Sequence, residues 1–258
     1  KKIKMEAFMK KLISVVAAVA MSAAVFAMDI TLGARGNLNL NAGTTLANSF
    51  YNDEIDLKDF NYKVTKNLVV GGGFGFYGNF GLANIESVVI GVQPELCFNF
   101  NNGMSMKSEF SPETYESKYT TNTLDIPVLF TANISLNDKM KLGFGLGPNY
   151  SFVLGGSGKD VFTYDSVSLS TEYKDWKDYV SKNSTNLTYK GFRVNYGMAL
   201  DANFGFNLGP GALVADLRWF IDFTPTALKT VDNKGHKYHN EFFYRRSLNF
   251  GAGYEIKL

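Results

Sequence analysis

"GFRVNYGMALDANF", Gly191 to Phe204, alternates without a break. The even positions are Phe192, Val194, Tyr196, Met198, Leu200, Ala202 and Phe204. The odd positions are Gly191, Arg193, Asn195, Gly197, Ala199, Asp201 and Asn203. A period of two belongs to a β-strand whose faces meet different surroundings. One face here is bulky and apolar. The other is small and polar, with isolated charges.

The same pattern recurs along the chain. It runs from Asp29 to Leu40, over 68–78, from Ser87 to Phe100, from Thr123 to Ile134, from Met140 to Phe152, from Leu213 to Phe223 and from Phe242 to Leu258. With the opening stretch this predicts eight strands, each able to run about ten residues, the length a tilted strand needs to cross a bilayer. Short connections are expected near 79–86, at 137–139 and at 207–211, and long ones at 43–67, 101–122, 155–188 and 224–241. Alternating short turns and long loops, with both chain ends on the short side, is the habit of outer-membrane barrels.

Alternation alone does not separate a membrane barrel from a soluble one with an apolar interior. Side-chain volume does. The bore of an eight-stranded barrel has room for side chains and little more, and the compact set here is Gly, Asn, Ala and Thr. The bulky set therefore points outward into lipid, where every backbone N–H and C=O must be paired and closure of the sheet is required. The predicted fold is an all-β, eight-stranded antiparallel up-and-down transmembrane β-barrel with short periplasmic turns and four long outer loops. Phe204, Phe206, Trp219, Phe223, Phe242 and Tyr244 fit interfacial aromatic girdles.

The bulk composition agrees. The chain has 258 residues, 25 of them Gly and 22 Phe. The first 27 residues carry five of the 26 basic side chains and one of the 24 acidic ones, so the remainder has a net charge of −2 and no basic stripe. Nucleic acid is not an expected partner. The single cysteine, Cys97, excludes an internal disulfide framework. Met9-Lys10-Lys11, the apolar run Leu12–Ala24 and the small residues about Val25-Phe26-Ala27 read as a cleaved export signal. Met9 is the expected natural start, residues 1–27 an extension plus signal, and 28–258 one barrel domain in the outer membrane of a diderm bacterium.

Three segments carry a family likeness: "LDIPVLFTANISLNDKMKLGFGLGPNYSFVLGG" (Leu124–Gly156), "LVADLRWFIDFTPTA" (Leu213–Ala227) and "RSLNFGAGYEIKL" (246–258). They resemble the outer-membrane β-barrel superfamily, in particular its OmpW-like branch. The chain departs from that pattern by closing on Leu258 where an aromatic is usual, and by its long loops 43–67 and 155–188. The resemblance implies passive passage of small, mainly hydrophobic molecules across the outer membrane, with lateral release through a gap in the wall. The residues themselves leave a second reading open: a surface adhesin binding host or extracellular ligands through its loops, with a plugged barrel as anchor. Neither reading requires a cofactor or an enzymatic activity. The partners are outer-membrane lipid with, respectively, hydrophobic solutes or host ligands.

Three groups of candidate residues follow from parity. Arg35, Glu95, Asp125, Arg193, Asp201, Asp216, Arg218, Asp222, Arg245 and Glu255 belong to the lumen, as an ion path or as a salt-bridge network that plugs it. Val69, Tyr77, Val89, Leu129, Val153, Phe220 and Phe243 are apolar on the same face and form either a hydrophobic vestibule or core filler. Pro94, Pro127 and Pro148 interrupt strands, and each marks an expected bulge or weakened pairing. In the third long loop, Tyr173, Trp176 and Tyr179 share a helical face. That face can bind a surface partner, cover the barrel mouth or lie in the lipid interface. His236 and His239 form an isolated H-x-x-H with no third ligand at metal spacing.

Overall fold

In a computed structural model of the chain, residues 29–42 and 63–258 are described. The expected export signal, the Met9 start and residues 43–62 of the first outer loop lie outside them, as does the side chain of Phe242. The strands are β1 (Asp29–Asn41), β2 (Lys63–Asn67), β3 (Val69–Ile85), β4 (Val88–Phe110), β5 (Glu113–Ser135), β6 (Met140–Tyr164) and β7 (Val167–Tyr173). A helix, α1 (Trp176–Asn183), precedes β8 (Leu187–Phe192), β9 (Asn195–Leu208), β10 (Gly211–Asp222), β11 (Thr226–Asp232), β12 (Lys237–Phe243) and β13 (Arg246–Lys257).

Eight of these strands close a ring in the order β1, β3, β4, β5, β6, β9, β10, β13. Every neighbour is antiparallel. The seam runs from Thr31 opposite Lys257 to Asn41 opposite Ser247. Closure leaves the barrel wall without an edge, the condition for backbone in hydrocarbon. At the turn end, the Asn137 carboxamide accepts from the amides of Lys139 and Met140, each at 2.9 Å. Gly209 takes a φ of 63°, a region that costs glycine little. The first short turn is Glu86-Ser87, because β3 runs straight through the expected turn region to Ile85.

Parity holds around the ring. Leu38, Phe76, Phe130, Phe144, Leu213, Trp219 and Phe250 are exposed on the outer wall, where the bilayer covers them, while Asn39, Asn99, Asp125 and Arg218 are buried inside. Phe204 and Phe206 stand near the turn end of this wall, Trp219 and Phe223 near the other, all exposed. The three prolines do not shift the register. Pairing lapses for two residues beside Pro94 and Pro127 and then resumes in step, and Pro148 sits in an unbroken β6–β9 ladder. Bulges occur instead between Gly81 and Ala83, between Asn99 and Asn102 and between Asn122 and Thr123.

The long connections are largely strands. β4, β5 and β6 have 23, 23 and 25 residues, roughly twice what a bilayer needs. Their outer halves form a sheet that stands above the membrane, edged by β2 on one side and β7 on the other. Residues 101–122 are therefore a hairpin. Its segments are mostly polar, with Met104 and Tyr119 as the buried apolar exceptions, so apolar periodicity reveals them poorly; backbone ladder bonds hold them in place. Above the opposite wall, β8, β11 and β12 make a separate three-stranded sheet.

Candidate functional site

Two arginine-centred clusters are stacked inside the barrel. In the lower one, Arg218 of β10 is 1% exposed. Its Nε and Nη2 donate to Asp201 Oδ1 at 2.9 and 2.7 Å, and Nη2 also donates to Glu95 Oε1 at 2.9 Å. Arg35 of β1 donates to Glu95 as well and lies 3.5 Å from Asp216 Oδ2 and 4.0 Å from Asp201 Oδ1. In the upper cluster, Arg245 grips Asp125 with both terminal nitrogens, at 2.9 and 2.7 Å, and reaches Asp222 Oδ1 at 3.1 Å. The Phe220 ring lies between the clusters, 5.1 Å from the Arg245 guanidinium carbon and 5.9 Å from that of Arg218. It packs with Leu129 and Ala199, and all three are buried.

This arrangement follows from burial. An unpaired charge in a narrow bore is expensive, whereas an arginine fork satisfies two carboxylates at once. Toward the turn end, Glu255 accepts from Lys141 and, at 3.2 Å, from the Tyr77 hydroxyl. A ladder of Asn37, Asn39, Asn99 and Asn102 carries the hydrogen bonding outward along β1 and β4. The two gaps beside Arg35 hold about 10 Å³ each, room for about one water apiece. The bore is filled at this level. Among the described residues it widens at the turn-end mouth, a cavity of about 390 Å³ beside Lys141, Glu255 and Lys257.

Nine of the ten lumen charges read from parity line this bore. Arg193 does not. The alternation of the opening stretch crosses a break at 193–194, where β8 ends and β9 begins, so its parity belongs to no single strand. Arg193 is half-buried outside the bore, 4.0 Å from Glu241 of β12. Phe192, across the same break, faces the Trp176 ring at 5.7 Å rather than lipid. Lys141 has inward parity but was absent from the expected network; its pairing with Glu255 depends on cross-barrel geometry that one strand cannot reveal.

The seven apolar candidates are spread along the length of the bore. Val89 lines the turn-end mouth. Tyr77 reaches Glu255. Leu129 and Phe220 fill the centre. Val69, Val153 and Phe243 lie toward the outer end: Val69 accepts from Asn41 Nδ2 at 3.1 Å, and Val153 is half-buried opposite Thr123. Phe243 joins Met104, Tyr119, Trp176, Val180 and Leu228 in a buried cluster above the barrel.

α1 builds that cluster. Asp175 caps it, accepting from the Asp178 amide at 2.8 Å. Its predicted apolar face is real, but it turns inward: Trp176 is 2% exposed and Tyr173, just before the helix, 5%. Tyr179 is half-buried against both, with ring centroids 5.6 and 4.9 Å away. These three residues pack an outer cap with their rings turned inward, the arrangement of the alternative in which this face covers the barrel mouth. Asp160 ties the cap to the sheet by accepting from Ser117, Tyr119 and Tyr173 at 2.7, 2.7 and 3.0 Å. Burial, with the Asp160 charge beside it, pushes the Tyr179 hydroxyl up to about 12. Of the two histidines, His236 is exposed with Nδ1 2.9 Å from Asp232 in a hairpin turn, and His239 pairs opposite Lys229.

One outer feature is not foreseen from the sequence. Tyr115, Phe162 and Leu169 stand side by side across β5, β6 and β7. With Tyr164 and Val167 they form an exposed apolar row at the tip of the protruding sheet, Val167 and Leu169 at 66% and 68%. The signal is present in residues 161–169, where two short alternating runs flank Asp165-Ser166. Both turn residues have positive φ, as a tight hairpin requires.

Residues 84–226 match the outer membrane protein beta-barrel domain family. The chain belongs to that family. As an outer-membrane barrel it is similar in shape to OprG from Pseudomonas aeruginosa, at 12% identity over 90% of this chain and 97% of that one, with a TM-score of 0.45. It is also similar to the outer membrane protein AlkL in lipid bilayers, at 8% identity, covering 89% and 90%, TM-score 0.39. Ail, the attachment invasion locus protein of Yersinia pestis, is similar at 14% identity, covering 90% and 100%, TM-score 0.34. Similarity this distant assigns neither a solute nor a partner. No curated protein matches the chain.

Proposed function

We propose that this outer-membrane barrel is a non-enzymatic surface-recognition protein, anchored by a closed transmembrane wall and presenting its protruding sheet to an extracellular partner. The observation that carries this is the exposed apolar row at the sheet tip, set on a barrel whose bore is filled by ion pairs. A contiguous exposed apolar surface outside the membrane is the mark of an interaction site. The plugged bore supports an anchor rather than a conduit.

The other reading, passive passage of small hydrophobic molecules, draws on one feature, the apolar cluster under α1. A solute lodged there would have to displace the helix and then leave sideways into lipid, because the arginine clusters block the straight path.

Planar-bilayer recording and a binding assay separate the two. The anchor reading expects no resolvable unitary conductance, no accelerated entry of a hydrophobic dye into proteoliposomes, and retention of nanodisc-embedded protein on immobilised extracellular-matrix proteins. Fast dye entry without surface binding would overturn it in favour of transport.

A further inference from the structure

The outward side of the protruding sheet carries a different chemistry from its apolar tip. Side chains alternate across a strand, so Lys118 of β5 and Lys159 of β6 face away from buried Ser117 and Tyr119. The two lysines stand directly opposite one another in register. Like charges so placed repel. Lys159 is compensated by Glu172 of β7, its Nζ 2.9 Å from Oε1. The hydrogen bond from Lys159, and then its charge, hold the Glu172 carboxyl below the usual range. Among the described residues, Lys118 and the side chain of Lys174 have no carboxylate partner within 4.0 Å. The three lysines and Glu172 border a cleft of about 320 Å³ with a local charge of +2. The hydroxyls of Thr120 and Ser157, 3.1 Å apart, line it as well.

Its height matters. Leu154 of β6 is 55% exposed on the barrel wall. Ser157 and Lys159 follow three and five residues later. At about 3.3 Å per residue along a strand tilted by about 40°, the cleft begins about 8 Å above that exposed leucine, a height that suits the outer leaflet's headgroups. An outer-membrane leaflet presents phosphorylated sugars there. Lysine binds phosphate as a point charge, a dianion would relieve the Lys118–Lys159 repulsion, and the two hydroxyls suit a sugar ring.

We propose that this cleft binds a phosphate monoester carried by an outer-leaflet glycolipid. The proposal is independent of the surface-recognition reading, since it concerns the opposite side of the sheet.

Native mass spectrometry of the full-length barrel, purified with lipid A and released from detergent, tests it. The wild type should retain diphosphorylated lipid A, while chemically dephosphorylated lipid A should be retained about tenfold less. Lys118→Gln with Lys174→Gln should lower retention by about tenfold or more, and Glu172→Gln should raise it by about threefold. Lys257→Gln, at the turn end, should leave it unchanged. The heat-dependent electrophoretic shift of a closed barrel should persist in every variant, so a loss cannot come from misfolding. Equal retention of phosphorylated and dephosphorylated lipid, or an unaffected double variant, overturns the proposal. So does displacement of the lipid by inorganic phosphate at comparable concentration, which would make free phosphate the ligand.

Discussion

Arg218 on β10 donates to Glu95 on β4 at 2.9 Å, directly across the bore and across 123 residues of sequence. Each also has a second charged partner, Arg35 for Glu95 and Asp201 for Arg218. Arg218→Leu leaves Glu95 and Asp201 to share Arg35, with the neutral donors Gln93 and Asn203 beside them. Stripping one member from a buried ion cluster costs about 3–5 kcal/mol, and guanidinium unfolding in lipid vesicles should show a loss of that order. The double variant Glu95→Gln, Arg218→Met should lose less than Arg218→Leu, because it removes both charges together. A single variant as stable as the wild type would mean that the network does not hold the barrel closed.

Gly33 and Tyr77 make a second cross-strand pair of a different kind. They sit opposite one another on β1 and β3, and a Cβ on Gly33 would fall 2.2 Å from the Tyr77 ring. The ring lies over the glycine and sends its hydroxyl to Glu255. Gly33→Val should displace the ring, at about 1–3 kcal/mol for overpacking, and break its hydrogen bond to Glu255. Tyr77→Phe removes only the hydrogen bond and should cost about 1 kcal/mol. The same unfolding assay ranks the two, and a harmless Gly33→Val would contradict the packing.

The direction of the faces is testable on one strand. Leu200 pairs with Leu146 and Trp219 on the lipid side, and Asn203 points inward and donates to Asp201 at 2.9 Å. Leu200→Arg should impair insertion, by less than the roughly 2–4 kcal/mol that arginine costs at the bilayer midplane, because Leu200 stands opposite interfacial Trp219. Asn203→Ser should fold with nearly wild-type yield. Similar yields for both variants in vesicles would reverse inside and outside.

The cap helix should respond to acid. A hydrogen bond from Lys182, and then one from the Lys174 amide, hold the Asp178 carboxyl below its usual value. A carboxyl depressed in the folded state contributes stability above its unfolded pKa of about 4, and loses that contribution as pH falls through the folded value. In a Trp219→Phe background, Trp176 is the sole tryptophan. Its emission should shift red below about pH 4 while the far-ultraviolet β-signal stays constant. In Asp178→Asn this acid step should shrink. An unchanged spectrum down to pH 3 would separate the cap from this ion pair.

The ring of eight strands was legible because lipid on one side and a tight bore on the other impose opposite demands on alternate residues. Where that contrast ends, so does legibility. Around Lys118 and Lys159, β5 and β6 continue above the membrane polar against polar, and there the ladder shows them to be strands. The helical spacing of Tyr173, Trp176 and Tyr179 was readable, but not that it faces a cap, since the residues it packs on come from β4, β5, β11 and β12. Inward charges were visible by parity. Their partners were not, because the choice of Asp125 for Arg245 depends on strand stagger around the whole barrel.

The tip of the protruding sheet supplies the sharpest test of function. Phe162 and Leu169 stand opposite each other on β6 and β7, exposed, on the same face as Tyr115. Changing both to Glu touches no buried group, so the barrel should unfold within about 0.5 kcal/mol of the wild type. Retention on extracellular-matrix proteins should fall to background, and binding of an apolar fluorescent probe to the nanodisc-embedded protein should drop with it. On the other face of the same hairpin, Thr163 and Ser168 hold their hydroxyls 2.8 Å apart. Thr163→Glu adds charge at equal distance from the membrane without touching the apolar row, and it should leave binding intact. If both faces tolerate Glu equally, charge at the tip is irrelevant and the partner is held elsewhere on the outer structure. If both abolish retention, the interaction is electrostatic and the apolar row does not carry it.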